Sequence, residues 1–212
     1  MELTKTIQEV SPVPIPHHVM LGLLHDYKDP NDKIRQLIAK GILERVTNGL
    51  YIAGPRLGVE RPHPFLLANQ ILGPSYVSME SALSYHGLIP ERVYTTTSMT
   101  IKTAREYRTA SGNFTYTRIP LPYYAYGIQS VRLSSAQTVM LASPAKALLD
   151  KIITTAGVQF RSPANVVSYL ESDLRADVDK LKELDWSAVQ TWLADAPKKR
   201  TLSLLLETLP NL

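Results

Sequence analysis

The chain has 212 residues, of which 44% are hydrophobic and 20% charged, and it contains no cysteine. These values are typical of soluble globular proteins, and they exclude disulfides, thiolate metal sites and a cysteine nucleophile. The formal net charge is +4. The basic excess falls in residues 61–150, which hold eight Lys/Arg against four Asp/Glu, so a phosphate backbone or an acidic protein is a candidate partner.

The length predicts two domains, the first of them small. The longest apolar runs, such as residues 19–24, are too short to span a bilayer. The N-terminus lacks the apolar segment of a secretory signal. We therefore expect a cytoplasmic protein with no membrane partner.

The beginning of the chain predicts three helices. Residues 2–9 form a first short helix that ends at the proline-rich segment 11–16, and residues 17–24 form a second. A third helix covers residues 30–40, because its apolar side chains recur at helical spacing. Asp29 is its predicted N-cap, followed by proline at the first helical position.

A β-hairpin is predicted directly after the third helix. Residues 42–46 and 50–52 are β-rich and flank the pair Asn48-Gly49, which favours a type I′ turn with positive φ at both central residues. Helices followed by a hairpin within about 55 residues are the outline of a winged helix-turn-helix, in which a helix enters the major groove of DNA. We therefore predict a DNA-binding domain over residues 1–60.

The third helix and the hairpin supply the candidate DNA contacts. Arginine binds guanine, glutamine binds adenine, and lysine mostly holds phosphates. Residues 28–56 contain six basic and three acidic residues, so this segment is locally basic. The predicted DNA-binding residues are Lys28, Lys33, Arg35, Gln36, Lys40, Arg45 and Asn48.

A mixed α/β domain with a helical C-terminal tail is predicted over residues 61–212, which makes the fold class α+β. Its expected strands are 76–77, 93–101, 113–119, 128–133 and 138–141. Its expected helices are 65–71, 79–86 with Ser78 as N-cap, one starting at Ser143-Pro144, 165–174, 177–184, 187–193 and 198–209.

Several residue groups could suggest an enzyme or metal site, but each has a simpler interpretation. Ser78 and His86 could form a nucleophile and base, but no G-x-S-x-G elbow surrounds the serine. Asp150-Lys151 could belong to a nuclease, but no partner carboxylate has suitable spacing. The three histidines of residues 17–25 lack other ligands nearby, and no phosphate-loop motif is present. We expect no enzyme activity, metal, cofactor or small-molecule ligand.

Two further groups of residues each allow more than one interpretation. Four tyrosines beside two arginines could stack bases, form a protein interface or pack in the core; they are Tyr116, Tyr123, Tyr124 and Tyr126, with Arg118 and Arg132. The run Lys198-Lys199-Arg200 could bind phosphate or form an exposed helix start, where its charge opposes the helix dipole.

Four phrases of the sequence resemble AbiEi-type antitoxins. DKIRQLIAKGILERVTNGLYI (32–52) resembles their winged-helix segment, and YVSMESALSYHGLIPE (76–91) resembles the phrase that follows. FTYTRIP (114–120) and MLASPAKALLDKI (140–152) continue the match, the latter like the family's "ASPxKALxD" helix start. The resemblance covers about residues 5 to 155, and its order and spacing are more specific than any single phrase.

The resemblance implies a bacterial antitoxin of a type IV toxin–antitoxin, or abortive-infection, system. Its N-terminal domain would bind double-stranded operator DNA and repress the operon. Its C-terminal domain would counteract an AbiEii-like nucleotidyltransferase toxin without a stable complex. The residues that match the family's wing phrase are Lys40-Gly41, Leu43, Arg45-Val46 and Gly49-Leu50-Tyr51.

The chain departs from the family at the start of the third helix. Family members often have Ser and Arg there, whereas this chain has Asp29 and Asp32, which would repel phosphate if they faced DNA. The alternative hypothesis is a protein-interaction module whose winged helix docks on a protein partner without binding DNA. It predicts no salt-dependent affinity for DNA.

Overall fold

The structure is a computed structural model that describes residues 2–212. The chain separates into two compact units. The first contains the residues up to Gly73 together with 108–112 and 131–139, and the second contains the remainder. Helices and strands occur in both units, which confirms the α+β class expected from the sequence.

Short helices and a small sheet make up the chain before residue 74. The elements are α1 (Glu2–Val10), β1 (Ile15–Pro16), α2 (His17–Leu23), α3 (Pro30–Ala39), β2 (Leu43–Thr47), β3 (Leu50–Ala53) and α4 (Pro64–Ile71). A single 3-10 turn, Pro55–Leu57, follows the hairpin. The three helices predicted before the hairpin are therefore confirmed.

The helix α3 begins as the sequence predicts. Oδ1 of Asp29 accepts a hydrogen bond from the backbone N–H of Asp32 at 2.9 Å, and Pro30 is the first helical residue. This cap satisfies one of the N–H groups that a helix leaves free in its first turn. Gly41, with φ of +67°, follows the helix in the left-handed conformation that glycine adopts without steric cost.

The predicted hairpin is present and is joined by a third strand. The sheet order is β1-β3-β2, and all its pairs are antiparallel. The type I′ turn was a wrong prediction, because Gly49 has positive φ (+83°) and Asn48 does not. The register shifts between Arg45 and Thr47 instead, and such a bulge supplies local twist that a type I′ turn would otherwise provide.

A close backbone approach fixes the hairpin against the end of α3. A Cβ atom built on Gly54 would lie 2.3 Å from the carbonyl oxygen of Gly41. The N–H of Gly54 donates to the carbonyl of Ile42 at 2.8 Å, and the N–H of Arg56 donates to that of Gly41 at 3.0 Å. The apolar core beneath these elements consists of Ile7, Ile15, Met20, Leu24, Ile34, Leu37, Leu43, Tyr51 and Ala53.

A six-stranded mixed sheet and a set of helices follow Gly73. The strands are β4 (Ser75–Val77), β5 (Thr95–Thr100), β6 (Arg105–Thr109), β7 (Gly112–Arg118), β8 (Ile128–Arg132) and β9 (Thr138–Ala142). The helices are α5 (Met79–Tyr85), α6 (Pro144–Thr154), α7 (Pro163–Ser168), α8 (Val178–Glu183), α9 (Val189–Trp192) and α10 (Lys199–Thr208).

The order of the six strands is β6-β7-β5-β4-β9-β8. The central pair β4 and β5 is antiparallel, whereas β4 with β9 and β5 with β7 are parallel. Strand β6 is absent from the elements that the sequence predicts. Its residues are exposed or half-buried and three of the five are charged, so this edge strand carries no apolar alternation.

The start of α6 and the helical tail follow the prediction. Ser143 caps α6 by accepting from the N–H of Lys146 at 3.2 Å, and Pro144 is the first helical residue. The tail is helical, although α7 starts two residues early and passes into a π-helical turn over Tyr169–Asp173. Among residues 2–212, no helix combines the length and apolar character needed to cross a bilayer.

Candidate functional site

The residues predicted to contact DNA lie at the surface of the first unit. They come from α3, the loop before it and the hairpin. Lys33 is half-buried. The other six side chains are exposed: Lys28, Arg35, Gln36, Lys40, Arg45 and Asn48.

Three polar side chains on α3 form a hydrogen-bonded group. Arg35 donates from Nη2 to Oδ1 of Asp32 at 3.0 Å, and Gln36 donates from Nε2 to Oδ2 at 2.7 Å. The spacing of three and four residues places all three on one helix face. The hydrogen bonds from Arg35 and then from Gln36 lower the pKa of Asp32 below its ordinary value. The ionised carboxylate thus orients an arginine and a glutamine side by side at the surface.

The other two acidic residues of this region also have local partners. Asp29 caps α3. Oε1 of Glu44, on β2, accepts from Nη2 of Arg61 at 2.7 Å and from Oγ of Ser111 at 2.8 Å. Burial opposes ionisation of Glu44, but the hydrogen bonds from Arg61 and Ser111 lower its pKa below the ordinary value. Each carboxylate of residues 28–56 therefore accepts at least one hydrogen bond.

Most of the basic residues in the same segment have no acidic partner. Lys33 lies over the ring of Tyr27, with Nζ 4.6 Å from the ring centroid, in a cation–π contact. Five cations of residues 28–56 form no salt bridge with any residue in the described chain: Lys28, Lys33, Lys40, Arg45 and Arg56. The surface of α3 and the hairpin therefore carries unpaired positive charge.

A second polar cluster is buried in the second unit. Tyr76 and Ser78 both donate hydroxyl hydrogen bonds to Oδ2 of Asp150, at 2.9 Å and 2.7 Å. Nζ of Lys146 lies 3.2 Å from Oδ1 of Asp150, and it donates to the backbone carbonyl of Tyr123 at 2.9 Å. Burial raises the pKa of Asp150, while Lys146 and the two hydroxyls oppose that shift. Burial lowers the pKa of Lys146 to about 8.

The prediction that the side chain of Ser78 caps α5 is wrong. Ser78 occupies the N-cap position, but its hydroxyl donates to Asp150 and makes no capping hydrogen bond. The hydrogen bond expected of a nucleophile and base is not formed between Ser78 and His86 either. Nε2 of His86 is hydrogen-bonded to the backbone carbonyl of Ala142 at 2.9 Å. Ser78, Lys146 and Asp150 have no exposed surface, so no substrate reaches them in this conformation.

The buried cluster joins two separate stretches of the sequence, residues 76–91 and 140–152. Tyr76 lies on β4, and Ser78 follows the end of that strand with an extended backbone, so the two side chains, two residues apart, point the same way. Lys146 and Asp150 share one face of α6. The salt bridge between Glu80 and Lys151 joins the same two segments. Spacing alone indicated which residues share a face, but not that the two faces meet.

The tyrosines that could have stacked bases differ in their surroundings. Tyr116 and Tyr123 are buried in the core. Tyr126 stacks on Trp192, with ring centroids 6.1 Å apart and planes inclined by 4°, and donates to Oδ2 of Asp195 at 2.6 Å. Core packing is therefore the role of Tyr116 and Tyr123. Within the residues that the structure describes, no three His, Asp or Glu side chains are placed to hold a metal ion.

Comparison with known proteins gives a similar fold and no family. No protein-family model and no curated protein match the chain. The chain is similar to the crystal structure of the RV2827C protein from Mycobacterium tuberculosis, with a TM-score of 0.63 and 17% sequence identity. The match covers 98% of this chain and 76% of that one. At this identity, the similarity shows a shared fold only.

Proposed function

We propose that the chain is the antitoxin and transcriptional autorepressor of a type IV toxin–antitoxin operon. Residues 1–60 act as a winged helix-turn-helix on double-stranded operator DNA, and residues 61–212 counteract a nucleotidyltransferase-like toxin. The resemblance of four sequence phrases to AbiEi-type antitoxins supports both parts. The geometry of α3 and the hairpin supports the first.

One observation carries the DNA-binding part. On α3 and the hairpin every carboxylate has a local partner, while Lys40, Arg45 and, in the loop before α3, Lys28 are exposed cations that form no salt bridge with residues 2–212. Such a surface attracts a phosphate backbone, because bound cations release the counterions condensed on DNA. The departure from the family at Asp29 and Asp32 is compatible with binding, since both carboxylates make local hydrogen bonds.

Each part of this surface has a role in the proposal. The helix α3 enters the major groove, where Arg35 and Gln36 contact base edges. Phosphates on either side of that groove are held by Lys28, Lys33 and Lys40. Arg45 and Asn48 extend the contact along the backbone from the hairpin, which the approach of Gly54 to Gly41 fixes against α3.

Fluorescence anisotropy with DNA from upstream of the gene tests this proposal. The purified chain should bind that duplex more tightly than a scrambled one, and its affinity should fall steeply with salt. The double variant Lys40→Ala/Arg45→Ala should flatten the slope of log affinity against log salt by roughly 2, since each lost phosphate contact removes about 0.9. A matched control is Lys182→Ala, an exposed lysine of α8.

Two results would contradict the DNA-binding part. One is equal, weak binding to both duplexes. The other is an unchanged salt slope in a well-folded Lys40→Ala/Arg45→Ala variant. If the unchanged chain had no affinity for DNA at all, the result would favour the alternative in which this surface docks on a protein partner.

The antitoxin part is tested in cells that carry the candidate toxin. The Lys40→Ala/Arg45→Ala variant should fail to repress a reporter under its own promoter, yet should still protect growth against the toxin. That result would place repression and protection on separate surfaces. Loss of protection together with repression, at an unchanged protein level, would argue against the division.

A further inference from the structure

A cleft of about 840 Å³ in the second unit is lined by several charged side chains. It lies beside the start of α10 and the segment that precedes α7. Sites for small molecules have volumes of about 300–1,000 Å³, so this cleft has the size of a ligand pocket. Its charged lining residues are Arg161, Lys198, Lys199, Arg200 and Glu207.

One of the four cations is held by the protein itself. Nζ of Lys198 donates to the backbone carbonyls of Ile152 at 3.0 Å and Thr155 at 2.6 Å. These carbonyls belong to the last turn of α6 and its C-cap, where the helix carries partial negative charge. Lys198 therefore anchors the start of α10 on the end of α6.

The other three cations have no such partner. Arg161, Lys199 and Arg200 are exposed and form no salt bridge with residues 2–212. Two of them stand in the first turn of α10, where the helix dipole already contributes positive charge. Arg161 adds a third charge from a separate segment. Three like charges around one cleft repel one another, and an anion bound between them would relieve that repulsion.

The character of the cleft changes along α10. Arg200, Leu204 and Glu207 lie on one helix face at intervals of four and three residues. With a rise of 1.5 Å per residue, the Cα atom of Glu207 lies about 10 Å further along the axis than that of Arg200. Ser203 and Leu204 line the cleft between them. The cleft is thus cationic at one end, partly apolar in the middle and acidic at the other.

We propose that this cleft binds a nucleoside triphosphate. Arg161, Lys199 and Arg200 hold the phosphates, the sugar and base lie along Leu204, and Glu207 accepts a hydrogen bond from an amino group of the base. A phosphate chain matches the three unpaired cations, and a base with an amino group matches the single carboxylate. The site differs from the expectation of no small-molecule ligand, and it does not depend on the DNA-binding proposal.

Calorimetric titration of the full chain with ATP tests the site. ATP should bind, tripolyphosphate should bind more weakly, and adenosine alone should give no measurable heat. The variant Arg161→Ala/Arg200→Ala should weaken ATP binding by about tenfold or more, because it removes two charge-assisted contacts. The variant Arg105→Ala/Lys182→Ala removes two exposed cations elsewhere and should leave ATP binding unchanged. Circular dichroism shows whether each variant is folded.

A second variant tests the orientation of the ligand. Glu207→Leu removes both the charge that opposes phosphate and the acceptor for the base, so it should tighten tripolyphosphate and abolish the preference for ATP. Several results would overturn the proposal: no ATP binding, equal losses in both double variants, or equal affinities for ATP and tripolyphosphate in the unchanged chain. Tighter binding of a short single-stranded oligoribonucleotide, lost in Arg161→Ala/Arg200→Ala, would assign the cleft to nucleic acid instead.

Discussion

The hydroxyl of Ser78 donates a hydrogen bond to Oδ2 of Asp150 at 2.7 Å, and neither side chain has any exposed surface. Tyr76 donates to the same oxygen, and Lys146 lies 3.2 Å from the other. A buried charge is stable only when it is paired and hydrogen-bonded. This group therefore specifies how β4 and α6 meet.

Removal of the carboxylate should destabilise the second unit strongly. Asp150→Ala leaves the Lys146 side chain buried without its counter-ion, a change that costs about 3–5 kcal/mol in the free energy of unfolding. Ser78→Ala removes one hydrogen bond to a charged group and should cost about 1.5–3 kcal/mol. Urea unfolding of the two variants beside the unchanged chain measures both effects.

A double variant separates the effect of losing the ion pair from the effect of losing side-chain packing. Lys146→Met/Asp150→Leu replaces the ion pair with apolar side chains, and such replacements are often neutral or stabilising. This double variant should be more stable than Asp150→Ala alone. An Asp150→Ala variant that unfolds at the same urea concentration as the unchanged chain would show that the buried pair contributes nothing.

Local signals in the sequence predicted the elements that depend on neighbouring residues. Asp29-Pro30 and Ser143-Pro144 each predicted a capped helix start, and both caps are present. A cap is decided by contacts three residues apart, so a short stretch contains all the information. The exposure of Arg35 and Lys40 could be predicted for the same reason, from helical spacing.

Features that depend on distant partners could not be predicted. Asp150 receives its hydroxyl donors from residues 72 and 74 positions away. Glu44 is paired with Arg61 and with Ser111, which is 67 positions away. No periodicity in one segment indicates which distant segment will face it. The two-residue strand Ile15–Pro16 was not predicted, because it is defined by its pairing with β3 and not by a pattern in its own sequence.

Two glycines of the first unit should respond in opposite ways to alanine. At Gly54 the new Cβ would lie 2.3 Å from a backbone oxygen, and a backbone atom cannot move aside like a flexible side chain. Gly54→Ala should therefore cost about 1–3 kcal/mol, as overpacking does. Gly22 lies in α2 with nothing within 4 Å of its Cβ position, so Gly22→Ala should stabilise by about 0.5–1 kcal/mol.

Thermal and urea unfolding of the two glycine variants make this comparison. Gly54→Ala should also weaken DNA binding if the hairpin has to stay fixed against α3. A destabilised Gly22→Ala variant, or a neutral Gly54→Ala variant, would show that the backbone approach of Gly54 to Gly41 does not constrain the unit.

His63 should make the stability of the first unit sensitive to acid. Burial lowers the pKa of His63 below its ordinary value of 6.5. Its Nδ1 accepts a hydrogen bond from the N–H of Phe65 at 3.2 Å, at the start of α4, and protonation of Nδ1 would break that cap. The unfolded chain binds this proton at higher pH than the folded chain. The free energy of unfolding should therefore fall as the pH drops below about 6.5.

The variant His63→Asn tests this effect, because asparagine can cap α4 and does not titrate. The difference in unfolding free energy between about pH 7.5 and pH 5.5 should shrink in this variant. Part of the difference should remain, since burial also lowers the pKa of His86. His18→Asn changes an exposed histidine and serves as the control. Equal pH dependence in all three proteins would remove His63 as the cause.

The carboxylate of Asp32 should set the sequence preference of DNA binding, if the proposed function is correct. It holds both Arg35 and Gln36, the residue types that contact guanine and adenine. Asp32→Asn loses a negative charge and loosens both side chains. Affinity for a scrambled duplex should rise, while the ratio of affinities for the upstream and scrambled duplexes should fall about tenfold, the value of one oriented base contact.

Asp29→Asn is the matched control for that experiment. It removes the same charge from the same helix turn, and asparagine still caps α3. Arg35 and Gln36 donate their hydrogen bonds to Asp32, whereas Asp29 accepts from the backbone N–H of Asp32. It should raise the affinity for both duplexes together and leave their ratio unchanged. Anisotropy titrations at one salt concentration compare the three proteins. If both variants change the ratio by the same factor, Asp32 acts only as a charge, and base contacts do not depend on its hold on Arg35 and Gln36.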